Sequence, residues 1–510
     1  MKILKLFFSR FFIVALAIIL QVFVFFATNF WLSESFGWVA YWFTALGILL
    51  FFVIINKDKR ASFKLPWISV ILIFPVLGIT VYLTFGNVNL SKKSRRKLEK
   101  ENKILRQFCK QNESTMRELY QSDHQAYGQA KYIQSACLLP TYNRCYSEYL
   151  PTGEIFFAQL VDELKKARKY ILMEYFIIEK GTMWDTIYQI LIAKAKQGVE
   201  VHFMYDDVGS ISKVPNDYFY EMRNHGINAC KFSPFRPIVS VIHNNRDHRK
   251  ITVIDGEVGF IGGINLADEY INVKHPYGRW KDNAVLLKGK CVDSLIRLFI
   301  QLFNSQTLRK LDIKQYLPEH HQTYKMKGFI APYGDGPCPI YEDYVGENVY
   351  LNIIGQAEHY LYITTPYLVV DYEFLAALSN AAKRGVDVRI ITPYIADKKL
   401  IKIMTKSNYM KLIEAGVKIY EYKPGFIHAK MFVCDDKYAT VGTINLDYRS
   451  FVHHFECGVW FYNTSCIDKM RRDFLAMIRK ESVSIDRKRA TLKPGERIIK
   501  DILRLIAPMM

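Results

Sequence analysis

Two histidines, two lysines and two asparagines in matching positions carry the chemistry open to this sequence. His248-Arg249-Lys250-Ile251-Thr252-Val253-Ile254-Asp255 is followed by Gly262-Gly263-Ile264-Asn265. The same spelling returns 180 residues on (428 − 248) as His428-Ala429-Lys430-Met431-Phe432-Val433-Cys434-Asp435, then Gly442-Thr443-Ile444-Asn445. An imidazole can attack or move a proton near neutral pH, an ammonium holds an anion, and a carboxamide donates to one. One copy would hold an anion. Two copies facing each other would hold a phosphodiester with a histidine on either side. A phosphodiester needs fixed positive charge on its non-bridging oxygens, a nucleophile in line and an acid for the leaving oxygen. Lys250, Lys430, Asn265 and Asn445 suit the first need. One histidine would form a phospho-histidine. The other would protonate the departing alcohol and deprotonate the incoming one. A lone histidine on a strand is usually structural; the duplication, with Gly and Asn downstream, sets this pair apart.

The elements around the motif position it. Lys250–Asp255 is rich in β-branched residues and runs into Gly256-Glu257, a turn signal, with Val258–Ile261 as the return strand. Residues i and i+2 of a strand share a face, which puts His248 beside Lys250 and His428 beside Lys430. The rest of the chain repeats too. A strand at 171–177, a helix, Gly198 and a strand at 202–206 are matched by a strand at 360–367, a helix, Gly385 and a strand at 389–392. That order predicts an α/β fold with a mixed or parallel sheet. It divides into two homologous halves, about 131–325 and 326–485, around a pseudo-two-fold axis.

A net charge of +20 favours anionic partners. Nucleic acid and anionic lipid both qualify, and the apolar N-terminus selects lipid, so no nucleic-acid partner is expected. The nine cysteines are scattered without a C-x-x-C pair, which is neither a disulfide framework nor a zinc pattern. No cluster with metal-ligand spacing stands out, so no catalytic metal or other cofactor is expected. Residues 1–90 hold three apolar stretches, about 11–30, 37–55 and 67–85. Each is near the roughly 20 residues that cross a bilayer. They predict an anchor of two to three transmembrane segments and a multi-pass protein of the cell membrane. The N-terminus, the 56–64 connector and the 91–97 run are all basic, and the positive-inside rule wants all three on one side. Three full spans cannot satisfy it, so either one stretch is re-entrant or one basic run lies outside. Residues 91–130 read as a basic juxtamembrane linker helix. Residues 486–510 read as an amphipathic segment, lying on a membrane or on the protein itself. Nothing in the sequence sets an oligomeric state.

The paired H-x-K-x4-D motifs resemble those of the phospholipase D superfamily. From about residue 37 to the C-terminus the flanking features are similar to the bacterial cardiolipin synthase family. The resemblance implies a phosphatidyltransferase that passes a phosphatidyl group from one phosphatidylglycerol to another, with anionic membrane lipids as partners. It implies His248 as nucleophile and His428 as acid/base, an order open to reversal. Asp255 and Asp435 complete the catalytic spelling and are expected to form structural ion pairs. The family often supplies an acid after the Asn to hold a histidine's far nitrogen. Glu456, eleven residues past Asn445, fits, and Asp282 is the first half's candidate. Gly263 stands where the family often has Ser, and Thr443 is its counterpart, which puts a hydroxyl contact to phosphate at 263 in doubt. The rival readings are another phosphatidyltransferase or a hydrolase of the same type, a membrane-tethered nuclease, and a lipid-binding protein, which would not need two facing imidazoles.

Overall fold

A computed structural model describes residues 23, 37–57, 60–86, 90–108, 110–234 and 245–507. The first apolar stretch, about 11–30, lies outside the described residues but for Phe23. Two compact units result. One comprises 1–89, 234–245 and 501–510; the other comprises 90–233 and 246–500.

In the first unit, α1 (Gly37–Ile55), α2 (Ala61–Ile73) and α3 (Pro75–Phe85) pack around Ile54, Ile71, Ile79 and Tyr82. The stretch read as one span at 67–85 is broken. Pro75 has no N–H for the ladder and starts a new helix instead. The chain reverses there. Trp67 meets Tyr82 edge-on with ring centroids 5.4 Å apart. A Cβ on Gly78 would stand 2.5 Å from Ile71 Cα, so only glycine lets the two helices approach this closely. Lys57 Nζ donates to Tyr82 Oη at 2.7 Å, so α3 ends where α1 ended. Among the described residues no helix is long and apolar enough to cross a membrane. The 19 residues of α1 reach about 28 Å against a hydrocarbon core of roughly 30 Å.

The second unit is built on two sheets. The first half supplies β1 (Tyr142–Asn143), β2 (Tyr146–Leu150), β3 (Tyr170–Tyr175), β4 (Glu200–Asp206), β5 (Asn228–Phe232), β6 (Ile251–Ile254), β7 (Val258–Gly262), β8 (Arg279–Lys281) and β9 (Ala284–Lys288). The second half supplies β10 (Phe329–Asp335), β11 (Tyr360–Thr364), β12 (Leu368–Val369), β13 (Asp387–Pro393), β14 (Lys418–Tyr422), β15 (Gly425–Ile427), β16 (Met431–Cys434), β17 (Tyr438–Gly442), β18 (Leu446–Asp447), β19 (Glu456–Tyr462) and β20 (Ser482–Ile485). The seven-stranded sheet runs β2-β9-β7-β6-β3-β4-β5. The nine-stranded sheet runs β1-β10-β19-β17-β16-β11-β13-β14-β20. Strand for strand the second repeats the first, with β20 added at one edge and β1, lent by the first half, at the other. This is a mixed α/β fold of two matching halves. Strands β7 and β9 face β17 and β19, so the sheets meet along their duplicated hairpins.

The 91–130 stretch departs from the expected linker helix. It forms Lys92–Leu105, Glu113–Ser122 and the start of His124–Cys137. Leu98, Leu105, Met116, Leu119, Ala126 and Ala130 are buried in the core of the second unit. The apolar positions recur at helical spacing, so one face of each helix is core rather than a solvated spacer. Lys97 Nζ caps Ser305 O at 3.1 Å, and Gln301 Nε2 donates to Asn102 Oδ1 at 2.6 Å. Near the C-terminus, the helix Pro494–Ile506 exposes Ile498, Ile499 and Ile502.

Candidate active site

Each motif enters its strand from an extended stretch that pairs with the other half. Residues 246–248 run beside Phe455: Phe455 N donates to Arg246 O at 2.8 Å and His248 N to Phe455 O at 2.9 Å. In the mirror position β15 pairs in parallel with β8, and His428 N donates to Lys281 O at 2.7 Å. The residue after each pairing partner is an acid. Glu456 therefore takes His248 Nδ1, with both oxygens at 2.9 Å. Asp282 Oδ2 takes His428 Nδ1 at 2.6 Å. Each imidazole is held by a carboxylate of the opposite half, not by the acid that follows its own motif. A bound Nδ1–H fixes the tautomer that leaves Nε2 unprotonated for the cleft.

The two motifs share one electrostatic site. Burial, then Lys250, Lys430 and His428, push the His248 imidazole well below its ordinary range. Burial and Lys430 bring His428 down to about 4 against the pull of Asp282. Burial lowers Lys250 to about 8, opposed by Glu456. Burial lowers Lys430 to about 7, with Lys250 adding to it and Asp282 opposing. Burial works against the Asp282 charge, but His428 and Lys430 hold its carboxyl below the usual range. Two neutral imidazoles and two uneasy ammoniums wait for an anion. Both amines are charged below these values and neutral above them. The kcat/KM for an anionic substrate should therefore fall as the pH rises through about 7 to 8, read from a pH–rate profile of the free enzyme. A flat profile to pH 9 would remove the lysines from the anion site.

The other sequence candidates divide. Asp255 and Asp435 do not reach the cleft and form no ion pair among the described residues. Each ends its strand, five residues of extended chain from the motif lysine, or roughly 16 Å. Asp255 accepts the N–H groups of Arg168, Lys169 and Tyr170 at 2.7–3.0 Å. Asp435 accepts those of Glu358, His359 and Tyr360 at 2.6–2.9 Å. Each ties the start of the neighbouring strand to its turn. Asn265 is engaged within the protein, accepting Ile177 N at 3.0 Å and donating to Tyr270 Oη at 2.7 Å. Asn445 keeps a buried Oδ1 with no hydrogen-bond partner among the described residues. Thr443 donates to Glu456 Oε2 and serves the acid rather than a phosphate. The same place in the first half explains Gly263: a Cβ there would stand 2.3 Å from Asp282 Oδ1. Gly263→Ala should displace that carboxylate and lower kcat about a hundredfold. An unchanged steady-state rate would show that the Asp282 position is not critical.

Several residues of the site carried no motif signal. Arg249, fully buried, donates to Glu456 O at 3.1 Å, Gln301 Oε1 at 3.2 Å and Tyr341 Oη at 3.2 Å, and so locks the first motif to the second half. Trp280 packs on His428 with centroids 5.4 Å apart, beside Tyr270 and Phe426. His454 packs on His248 at 5.4 Å, beside Phe176. Trp280 and His454 each lie two residues before their acid, so they are counterparts of different chemistry. Burial brings His454 down to about 3 against the pull of Glu456, whose Oε1 stands 3.6 Å from its Nδ1. Its spacing of two from Glu456 on extended chain was the available signal. Ligand atoms of His248, His454 and Glu456 lie within 4.8 Å of one another. That set could hold a metal by geometry, but the ammoniums of Lys250 and Lys430 beside it oppose a cation and favour an anion.

Two carboxylate-held imidazoles that sense each other's charge, with two amines beside them on a duplicated sheet, match the arrangement of phospholipase D-type phosphoryl transfer. The family described as cardiolipin synthase, PLD-like domain matches residues 160–304 and 350–478. The phospholipase D-nuclease N-terminal family matches 45–87. An uncharacterized protein of Streptococcus mutans is 41% identical, over 91% of this chain and 100% of its own. A cardiolipin synthase of a Geobacillus species is 32% identical over 98% and 99%. The crystal structure of Haemophilus influenzae phosphatidylserine synthase, 14% identical, superposes with a TM-score of 0.55 over 71% of this chain and 93% of its own, and so shares the fold. The chain belongs to the cardiolipin synthase family of phospholipase D-like enzymes.

Proposed function

We propose that the protein makes cardiolipin from two molecules of phosphatidylglycerol, with release of glycerol. The crossed His–carboxylate pairs carry the reading. His248 Nε2 attacks phosphorus, the bond to the glycerol oxygen breaks, and His428 Nε2–H gives that oxygen its proton. The hydroxyl of a second phosphatidylglycerol then yields its proton to His428 and attacks phosphorus, and the N–P bond breaks. His428 is neutral in the empty site. The anionic phosphodiester, arriving beside it, stabilises the protonated form that the first step uses. Lys250, Lys430 and Asn445 hold the non-bridging oxygens. Purified enzyme in vesicles of phosphatidylglycerol should yield cardiolipin and glycerol in equal amounts. Phosphatidic acid as the main product would make it a hydrolase instead, since both routes share the phospho-histidine and differ only in the acceptor.

The reading includes a membrane anchor. α2 and α3 form a hairpin that dips into one leaflet and returns, with α1 as the longer element. This resolves the conflict among the basic segments, because a re-entrant hairpin leaves the 56–64 connector and the chain beyond residue 86 on the same side. Lys57→Cys and Asn89→Cys should react with an impermeant maleimide from the same face of the membrane. Labelling from opposite faces would require a full third span.

A further inference from the structure

Among the exposed apolar side chains of the catalytic unit, a group of five falls at one end of its sheets, and topology says which. Lys250 precedes β6 and Lys430 precedes β16. β3 and β11 run antiparallel to these strands, and β4 and β13 run parallel to β3 and β11, so all four end beside the motif lysines. β7 ends there too, since Ile261 faces Ile251. The loops leaving those strands, and the first turns of the helices that follow, carry Val273, Tyr372, Tyr394, Ile395 and Leu400, exposed by 38% to 70%. Among them stand the exposed lysines Lys274, Lys398 and Lys399.

The turns at the opposite end are different. Val199, Ile227, Val386 and Val417 there are buried, and none of the large apolar residues of those turns is strongly exposed. The apolar side chains at the cleft end are thus not scattered singly, as on an ordinary surface.

The rim is continuous with the site. The Ile395 side chain lies over Gly278, four residues before Asp282. Lys398 Nζ stands 5.7 Å from the Tyr367 ring, Tyr367 packs on Phe426 at 6.4 Å, and Phe426 on His428 at 6.0 Å. The charge of Lys398 also contributes to the lowered His248 imidazole.

We propose that this rim is an interfacial surface that seats the cleft on an anionic bilayer, with Ile395 and Leu400 in the acyl boundary and the lysines among the headgroups. Aliphatic and tyrosine side chains mixed with lysine suit that boundary, where one end of each side chain is apolar and the other wet. Lysines near the surface add attraction to anionic lipids. A two-chain lipid withdrawn into water would expose its hydrocarbon, so a cleft pressed to the membrane reaches the phosphodiester at lower cost. The proposal rests on the lipid-transfer reading and names the surface that serves the same site.

The test uses the full chain in vesicles containing phosphatidylglycerol and, in parallel, a short-chain phosphatidylglycerol below its aggregation concentration. The double variant Ile395→Asn/Leu400→Asn should lose at least tenfold on vesicles and less than twofold on the monomeric lipid. Equal losses on both substrates would overturn the proposal. Leu400→Trp provides a readout independent of turnover. Its emission in excess of wild type should be quenched by lipids brominated on their acyl chains. Excess emission that is blue-shifted yet unquenched would mean the rim packs on a second copy of the chain, and would also overturn it. If quenching is seen but no cardiolipin forms, the rim stands and the reading of the reaction falls.

Discussion

His248→Ala and His428→Ala should each lower kcat by about four orders of magnitude or more, but for different reasons that one substrate can separate. A phosphatidyl ester of p-nitrophenol has a leaving group that needs no proton. With it, His428→Ala should still release a burst of nitrophenol and accumulate the acid-labile phospho-enzyme, because attack by His248 is intact. His248→Ala should give neither burst nor label. The opposite pattern would exchange the two roles. The arrangement permits either order, since both imidazoles present Nε2 to the cleft and have Nδ1 on a carboxylate. A burst from both variants would mean that neither histidine is the nucleophile.

Asp282→Asn and Glu456→Gln should each cost about 10²- to 10⁴-fold in kcat, the range for losing the carboxylate that orients a catalytic imidazole. Because the carboxylates are crossed, the first-half acid should behave as a defect of the second-half histidine. With the nitrophenyl leaving group Asp282→Asn should therefore keep a near-normal burst, which no longer needs His428 as acid, while later turnover stays slow because His428 is still needed as base. Glu456→Gln should not be rescued, because it disturbs His248. A same-half pairing predicts the reverse. Pre-steady-state burst rates on the nitrophenyl ester decide between them.

The repeat was legible because spacing is a one-dimensional property. The strand–helix–Gly–strand order occurs twice, and the two sheets repeat the same strand order. Contact across the repeat is not one-dimensional. Asp282 and Glu456 stood out as acids past each Asn, but nothing in the spacing tells which imidazole each would reach. The pairings of residues 246–248 with Phe455 and of β15 with β8 decide it. Asp255 and Asp435 follow their lysines so regularly that they read as part of the chemistry. The four buried residues of β6 and of β16 carry them to the far end, where backbone N–H groups rather than cations await them. His454 was invisible to the repeat because its counterpart is Trp280. The break at Pro75 was visible as a proline but not as a reversal, which depends on Gly78 fitting against Ile71.

The crossed carboxylates also bear on how such a protein can be taken apart. A half produced alone would have an imidazole lacking its acid and an acid lacking its imidazole. Two separately made halves would have to find each other at whatever dilution the cell imposes. Joined on one polypeptide they meet at a fixed one-to-one ratio and a high effective concentration. Covalent linkage also frees each copy from having to match itself, so Gly263 and Thr443, or Trp280 and His454, can differ while the shared pocket stays whole.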